Sequence, residues 1–241
     1  MLIKVDAAQL EWRTVLELSR DPVGIKEVHE KLDAHALNQE VFGLPSRLIA
    51  KIYLFRQIFL GSGYSYANDP AFMHVSKDPK FWDAVGEKFF AKYNYLPPMH
   101  KRWADYVVKG LPIPGPFGRD WKIEMKRGYS GDLKIPWTQL ANYPVQGTGA
   151  DVMMIARLSL YRRVKQAFGN EVLFISTVHD DIKMDAPEKY VQDIANMCHQ
   201  VFDDLIPNIR RCFGYDWVVP MACEVSAGKD MLNVEEISRT A

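Results

Sequence analysis

The chain has 241 residues, 48% of them hydrophobic, and its 30 Lys and Arg balance 30 Asp and Glu. That is ample for a folded core, in one large domain or two small ones, and zero net charge means that any nucleic-acid affinity must come from local patches. Three cysteines without a C-x-x-C spacing exclude a disulfide framework and a zinc site, and no apolar run could span a bilayer, so a soluble, cytoplasmic protein without a membrane partner is expected.

In chain order, a short apolar strand over 2–5 ends at Asp6, and Ala7-Ala8-Gln9-Leu10-Glu11 follows. Helical patterns then cover 11–19, 22–32, 35–42, 46–60, 79–95 and 99–109. Proline and glycine cluster from Pro97-Pro98 to Gly118, with further turns at Gly128 to Gly131, and divide the chain into two halves. The second half predicts helices over 137–143, 147–168 and 189–206, a hairpin over 172–186, and a final strand over 218–225. The class is α+β. Candidate basic patches are Lys122/Lys126/Arg127, Arg162/Arg163/Lys165 and Arg210/Arg211, each of which also reads as an ordinary solvated face.

Two constellations carry chemistry. The hairpin places His179-Asp180-Asp181 at a tight turn between apolar strands. Adjacent carboxylates repel, and burial aggravates the repulsion, so a divalent cation resolves the conflict. Hard oxygen ligands suit Mg²⁺, and Asp6 could bridge from a neighbouring strand to complete a two-metal site. The plain alternative is a solvated acidic turn. Further on, Arg47, Lys51, Phe55 and Phe59 recur every four residues. On a helix each such step rises about 6 Å and drifts about 40°, making one slowly spiralling stripe. Two cations followed by two rings suit a nucleoside triphosphate, with an Arg fork on the terminal phosphate and the rings against sugar and base. An amphipathic helix with core aromatics is the alternative.

The segment Asp6-Ala-Ala-Gln9-Leu-Glu11-Trp-Arg13 resembles motif A of family A DNA polymerases, the bacterial DNA polymerase I type. Asp33-Ala-His35 and Glu40 to Pro45 resemble the fingers segment that follows, and Arg47/Lys51/Phe55 resembles motif B on the nucleotide-binding helix. Asn142-Tyr-Pro-Val-Gln146-Gly-Thr-Gly-Ala-Asp151 is similar to the family's primer–template segment, Val178-His-Asp-Asp181 to motif C, and Glu224 to Gly228 to the closing strand.

This resemblance implies a polymerase palm, an antiparallel sheet with helices, plus helical fingers, with palm at 1–20 and 111–241 and fingers at 21–110. It implies template-directed addition of dNTPs to a primer 3′ end by two-metal nucleotidyl transfer. Asp6, Asp180 and Asp181, with the Ala7 carbonyl, would hold two Mg²⁺ ions, for which Mn²⁺ could substitute. Gln9, Glu11, His35, Arg47, Lys51, Phe55 and Phe59 would bind the nucleotide, and Lys51 would also donate a proton to pyrophosphate. Glu11 and Phe55 would crowd a 2′-hydroxyl. Asn142, Gln146 and His179 would contact the DNA minor groove and primer end.

The pattern departs from the family at several positions. Asp181 stands where Glu is usual, Phe59-Leu60 where Tyr-Gly is usual, Arg56 where Gly is usual, and Thr138 where an Arg often contacts DNA. The family's thumb and often an exonuclease precede motif A, whereas this chain starts with Met1 inside the motif A strand. A split gene is therefore expected, with a second polypeptide supplying those parts by docking on the helical fingers and an exposed N-terminal strand edge, and a phage source in a bacterial host is suggested. The competing readings are a single-subunit RNA polymerase, a non-catalytic DNA-binding subunit and a two-metal nuclease. Glu11 opposes the first, the retained Asp6, Asp180, Arg47 and Lys51 the second, and the triphosphate helix the third.

Overall fold

The computed structural model describes residues 1–128 and 130–240. In chain order the elements are β1 (Leu2–Ala7), α1 (Leu10–Ser19), α2 (Pro22–His29), α3 (Ala34–Phe42), α4 (Arg47–Gln57), α5 (Gly63–Ala67), α6 (Pro79–Lys92) and α7 (Leu96–Val108). Four two-residue strands follow, β2 (Ile113–Pro114), β3 (Asp120–Trp121), β4 (Lys126–Arg127) and β5 (Leu133–Lys134). The chain continues through α8 (Trp137–Phe168), β6 (Leu173–Val178), β7 (Asp181–Asp185), α9 (Val191–Asp203), α10 (Leu205–Phe213), β8 (Cys223–Gly228) and β9 (Val234–Glu236). The expected mix of helix and antiparallel sheet is what forms.

The chain separates into two compact units, residues 1–10 with 147–241, and residues 11–146. Residues 11–20 and 111–146, expected with the palm, group with the helical unit in this division.

The first unit is built on an antiparallel sheet of order β6-β7-β1-β8-β9. Strand alternation explains its two faces. Ile3, Val5 and Ala7 on β1 are buried, as are Ile182 and Met184 on β7 and Val225 and Ala227 on β8. Helix α9 packs on β8 and buries Ile194, Ala195, Cys198 and Val201. The opposite face carries Lys4, Asp6, Asp181 and Lys183, partly exposed. Contrary to the expectation of an exposed N-terminal edge, β1 is a central strand, paired with β7 on one side and β8 on the other. The sheet's edges are β6 and β9.

The second unit is helical, with β2 pairing β3 and β4 pairing β5 as two small ribbons. Its helices start where short polar side chains satisfy free N–H groups: Asp21 caps α2, Asp33 caps α3 and Ser46 caps α4. Prolines 97 and 98 lie in the first turn of α7, where a missing donor costs nothing, so that helix begins earlier than expected. An aromatic cluster fills the unit's interior. Tyr53 stacks on Trp82 at 5.9 Å between ring centroids, and Tyr66 meets Phe72 edge-on at 5.0 Å.

Helix α8 is continuous for 32 residues through Pro144, where two helices were expected. Proline inside a helix costs about 3 kcal/mol. Leu140, Ala141, Val145 and Val152 around it are fully buried, and each large apolar side chain so placed gains about 1.5–3 kcal/mol. Burial therefore outweighs the lost backbone bond.

Candidate active site

Antiparallel register gathers the acids in the sheet unit. Asp6, near the end of β1, lies directly opposite Asp181 on β7 and opposite Glu224 on β8. Residues paired in this way point to the same face. The β6–β7 hairpin turns through His179 and Asp180, and the Ala7 N–H donates to the Asp180 carbonyl at 3.0 Å, pinning the turn to the end of β1. His179, exposed, has φ 54°. A β-carbon in that left-handed region costs about 1–2 kcal/mol, and strain of this kind concentrates at functional sites. Gln9, in the turn before α1, is similarly placed at φ 53°.

Asp6, Asp180 and Asp181 thus share one end of the sheet. Their hard oxygens suit Mg²⁺. Among the described residues, however, no three His, Cys, Asp or Glu side chains stand in metal-ligating arrangement. Lys4 Nζ lies 2.9 Å from Asp6 Oδ2, and Lys183 Nζ lies 3.0 Å from Asp181 Oδ2. The hydrogen bond to Asp6 is the main cause that raises the Lys4 pKa, reinforced by the fields of Asp6, Asp181 and Asp180 against the effect of burial. Neither lysine was expected from the sequence, although the two-residue period of a strand puts each on the face of its neighbouring acid.

In the helical unit, α4 buries Ile49, Ala50, Tyr53, Leu54 and Gln57, leaving Arg47 and Lys51 exposed and Phe55 half-buried on its open side. The expected stripe exists up to that point. Phe59 falls outside it, because α4 ends at Gln57 rather than at residue 60. Gly61 N–H bonds the Arg56 carbonyl and Leu60 N–H the Gln57 carbonyl, the paired bonds of a Schellman stop. Leu60 takes the left-handed position, φ 63°, that such a stop normally gives to glycine. Arg56 turns away toward the segment after α5, pairing with Asp69 at 2.7 Å and lying over the Phe72 ring.

His35 is only 2% exposed, its ring 6.0 Å from that of Phe55. Burial, then the Arg47 and Lys51 charges, lower its pKa against the opposing field of Asp33. In this conformation the ring faces the packing between α3 and α4 and is not presented to a phosphate. Arg47 is held by Asp33 at 2.6 Å. Glu11, in the first turn of α1, accepts a hydrogen bond from Gln146 Nε2, and Asn142 lies one turn earlier on α8, half-buried. Each of the three basic patches contains a cation already paired: Lys122 with Glu124, Arg163 with Asp204, Arg210 with Asp216.

The family model for DNA polymerase family A matches residues 1–233. The chain belongs to DNA polymerase family A. It is 24% identical over 242 residues to the thermostable DNA polymerase I of Thermus aquaticus, covering 98% of this chain and 27% of that protein. Against DNA polymerase I of Pseudomonas aeruginosa it is 26% identical over 239 residues, covering 95% of this chain and 24% of the relative. Its fold is similar to that of the POL domain of Pol1 from M. smegmatis, solved with DNA primer–template and dNTP. The TM-score is 0.76 at 19% identity, over 95% of this chain and 39% of that one. This family A chain therefore spans about a quarter of the length of the curated relatives it matches. Among the described residues no helix is long and apolar enough to cross a membrane.

Proposed function

We propose that this chain carries the nucleotidyl-transfer centre of a template-directed DNA polymerase. The observation that carries the reading is the register of Asp6 against Asp181, with Asp180 tied to Ala7 beside them. Asp6 and Asp180 would hold two Mg²⁺ ions, or Mn²⁺ in their place, with Asp181 and the Ala7 carbonyl as further oxygen donors. When bound, the metals supply the lowered pKa of a primer 3′-hydroxyl and positive charge for the leaving pyrophosphate.

The helical unit supplies the triphosphate contacts. Arg47 grips the terminal phosphate after leaving Asp33, and Lys51, already exposed, neutralises charge near the reacting phosphorus and donates a proton to pyrophosphate. Phe55 packs on the sugar, and Glu11 closes the space that a 2′-hydroxyl needs. Gln9 and Phe59 border the nucleotide, and His35 joins them only if α3 and α4 rearrange. Asn142, Gln146 and His179 check minor-groove geometry.

The rest of a polymerase domain would come from further polypeptide, supplying a thumb and, in the fuller form, an exonuclease. Short coverage of the relatives supports this, as does edge strand β6, whose Leu173, Ile175 and Val178 are all exposed. Free Cys198, Cys212 and Cys223 suit a reducing cytoplasm. One observation favours a second reading, a non-catalytic DNA-binding subunit: Asp6 and Asp181 are already neutralised by lysines.

Primer extension with purified protein, Mg²⁺ and four dNTPs decides between them, run with and without added polypeptide that carries a polymerase thumb. Asp6→Asn and Asp180→Asn should each abolish addition while leaving DNA binding intact, and Asp181→Ala should be milder. Extension by either Asn variant within about tenfold of wild type would end the two-metal assignment.

A further inference from the structure

The acids at the end of the sheet sit inside an alternating arrangement of charge. Register sets Lys4 directly opposite Lys183, one step along from Asp6 opposite Asp181. Like charges facing one another across a strand pair repel. Here each is offset by the opposite charge two residues along its own strand. Lys4 Nζ contacts Asp6 at 2.9 Å, and Lys183 Nζ reaches both Asp181 oxygens at 3.0 Å. These are not freely solvated pairs. The Lys183 and Asp181 side chains are 24% and 14% exposed, and Lys4 and Asp6 are each 35% exposed. The two ammonium groups occupy carboxylates that a divalent cation would need.

We propose that Lys4 and Lys183 are internal counter-cations of the candidate metal centre, neutralising Asp6 and Asp181 when no divalent ion is bound, so that an incoming ion must displace them. The inference rests on the reading of Asp6, Asp180 and Asp181 as metal ligands. It has two physical consequences. The sheet stays folded without metal, because its facing carboxylates are compensated. Intrinsic cation affinity is also held low, because Asp6 and Asp181 are each released only by breaking a part-buried ion pair.

The test is direct Mn²⁺ binding to the full chain, followed by electron paramagnetic resonance of the free ion, with no DNA or nucleotide present. Lys4→Met and Lys183→Met should each tighten Mn²⁺ binding by about three- to tenfold, the effect of removing one nearby competing charge in a partly screened site. Lys→Gln at either position, which keeps a neutral donor, should act in the same direction. Lys→Arg, which keeps the charge, should bind no tighter than wild type. Thermal melting gives a second readout: without metal the Met and Gln variants should melt lower than wild type, and Mn²⁺ should raise their Tm by more. If neutral variants bind Mn²⁺ no tighter while Asp6→Asn loses it, the metal centre stands and the counter-cation role is wrong. If Asp6→Asn binds Mn²⁺ as wild type does, the metal reading fails and this inference falls with it.

Discussion

Asp33 Oδ2 takes a 2.6 Å hydrogen bond from Arg47 Nε, while Oδ1 of the same carboxylate caps α3 by accepting from the His35 and Ala36 N–H groups. One side chain therefore ties the start of α3 to the start of α4. The Arg47 hydrogen bond is the first cause that holds Asp33 below the usual carboxylate range. With both partners well exposed, the pair itself contributes little to stability. Its larger effect is on where the guanidinium points. Asp33→Asn keeps an oxygen for the cap and drops the charge, so triphosphate affinity should rise several-fold as Arg47 is freed. Asp33→Ala should also lose about 1 kcal/mol of stability with the cap. Calorimetric titration and urea unfolding check both. Weaker triphosphate binding by Asp33→Asn would mean that the pair presents Arg47 rather than withholding it.

Leu60 offers a sharper test of the backbone. Its φ of 63° at the stop after α4 is a position where glycine relieves about 1–2 kcal/mol of steric cost, offset in part by chain entropy and lost apolar contact. Leu60→Gly should therefore be more stable than Leu60→Ala by about 1 kcal/mol, the reverse of the order seen inside a helix. Chemical denaturation of the three proteins measures it. An alanine variant more stable than the glycine variant would show that the turn is not strained.

These two sites also mark how far the sequence reaches. Asp6 at the end of an apolar run, the acidic hairpin and the Arg47, Lys51 and Phe55 part of the α4 stripe were legible because period-two and period-3.6 patterns survive in one dimension, whereas the stop before Phe59 was not. The lysines beside the acids follow from the same period-two rule, yet their meeting across β1 and β7 needs the register. His35 reads as a polar ligand in one dimension. Only the packing of α3 on α4 shows it buried against Phe55. The central place of β1 depends on strands more than 170 residues away in sequence, which no local pattern encodes. Pro144 misleads for a related reason, since the burial that outweighs it is tertiary.

The helical unit holds a buried ion pair whose removal should be costly. Lys92 Nζ lies 2.8 Å from Glu27, and the Tyr93 hydroxyl donates to Glu27 at 2.9 Å and to Asn38 at 3.0 Å. Side-chain exposure is 15% for Lys92 and 9% for Glu27. Lys92→Met leaves a buried carboxylate unpaired and should cost about 3–5 kcal/mol. The double variant Lys92→Met with Glu27→Gln should recover part of that loss. Additive losses in urea unfolding would show that the two groups are not energetically coupled.

A pH effect follows from His100. Buried on α7 beside Trp103, its imidazole is pushed down to about 4 from the ordinary 6.5 by burial. The unfolded chain therefore takes up this proton first as pH falls. Its contribution to stability is full above pH 6.5 and is lost progressively between there and pH 4, about 3 kcal/mol in all. His100→Leu removes the titration while keeping apolar volume. The stability difference between wild type and variant should therefore shift toward the variant as pH is lowered through that window. Parallel curves of unfolding free energy against pH would place the proton uptake elsewhere.

Glu11, which the proposed function sets at the sugar, meets Gln146, which it sets on the DNA. Gln146 Nε2 donates to Glu11 Oε1, so the amide positions the carboxylate that, in the proposed function, excludes a 2′-hydroxyl. Glu11→Ala should raise ribonucleotide over deoxyribonucleotide incorporation, read as the ratio of kcat/KM values in primer extension. Gln146→Ala should move that ratio in the same direction by a smaller amount. A hydrogen bond to a charged group is worth about 1.5–3 kcal/mol, so a rise of up to about tenfold is expected if roughly half of it reaches the transition state. The double variant should match Glu11→Ala alone, because without its carboxylate the amide has nothing left to position. If Gln146→Ala instead lowers both incorporations equally and leaves the ratio unchanged, Gln146 acts on DNA alone and Glu11 is held by other contacts.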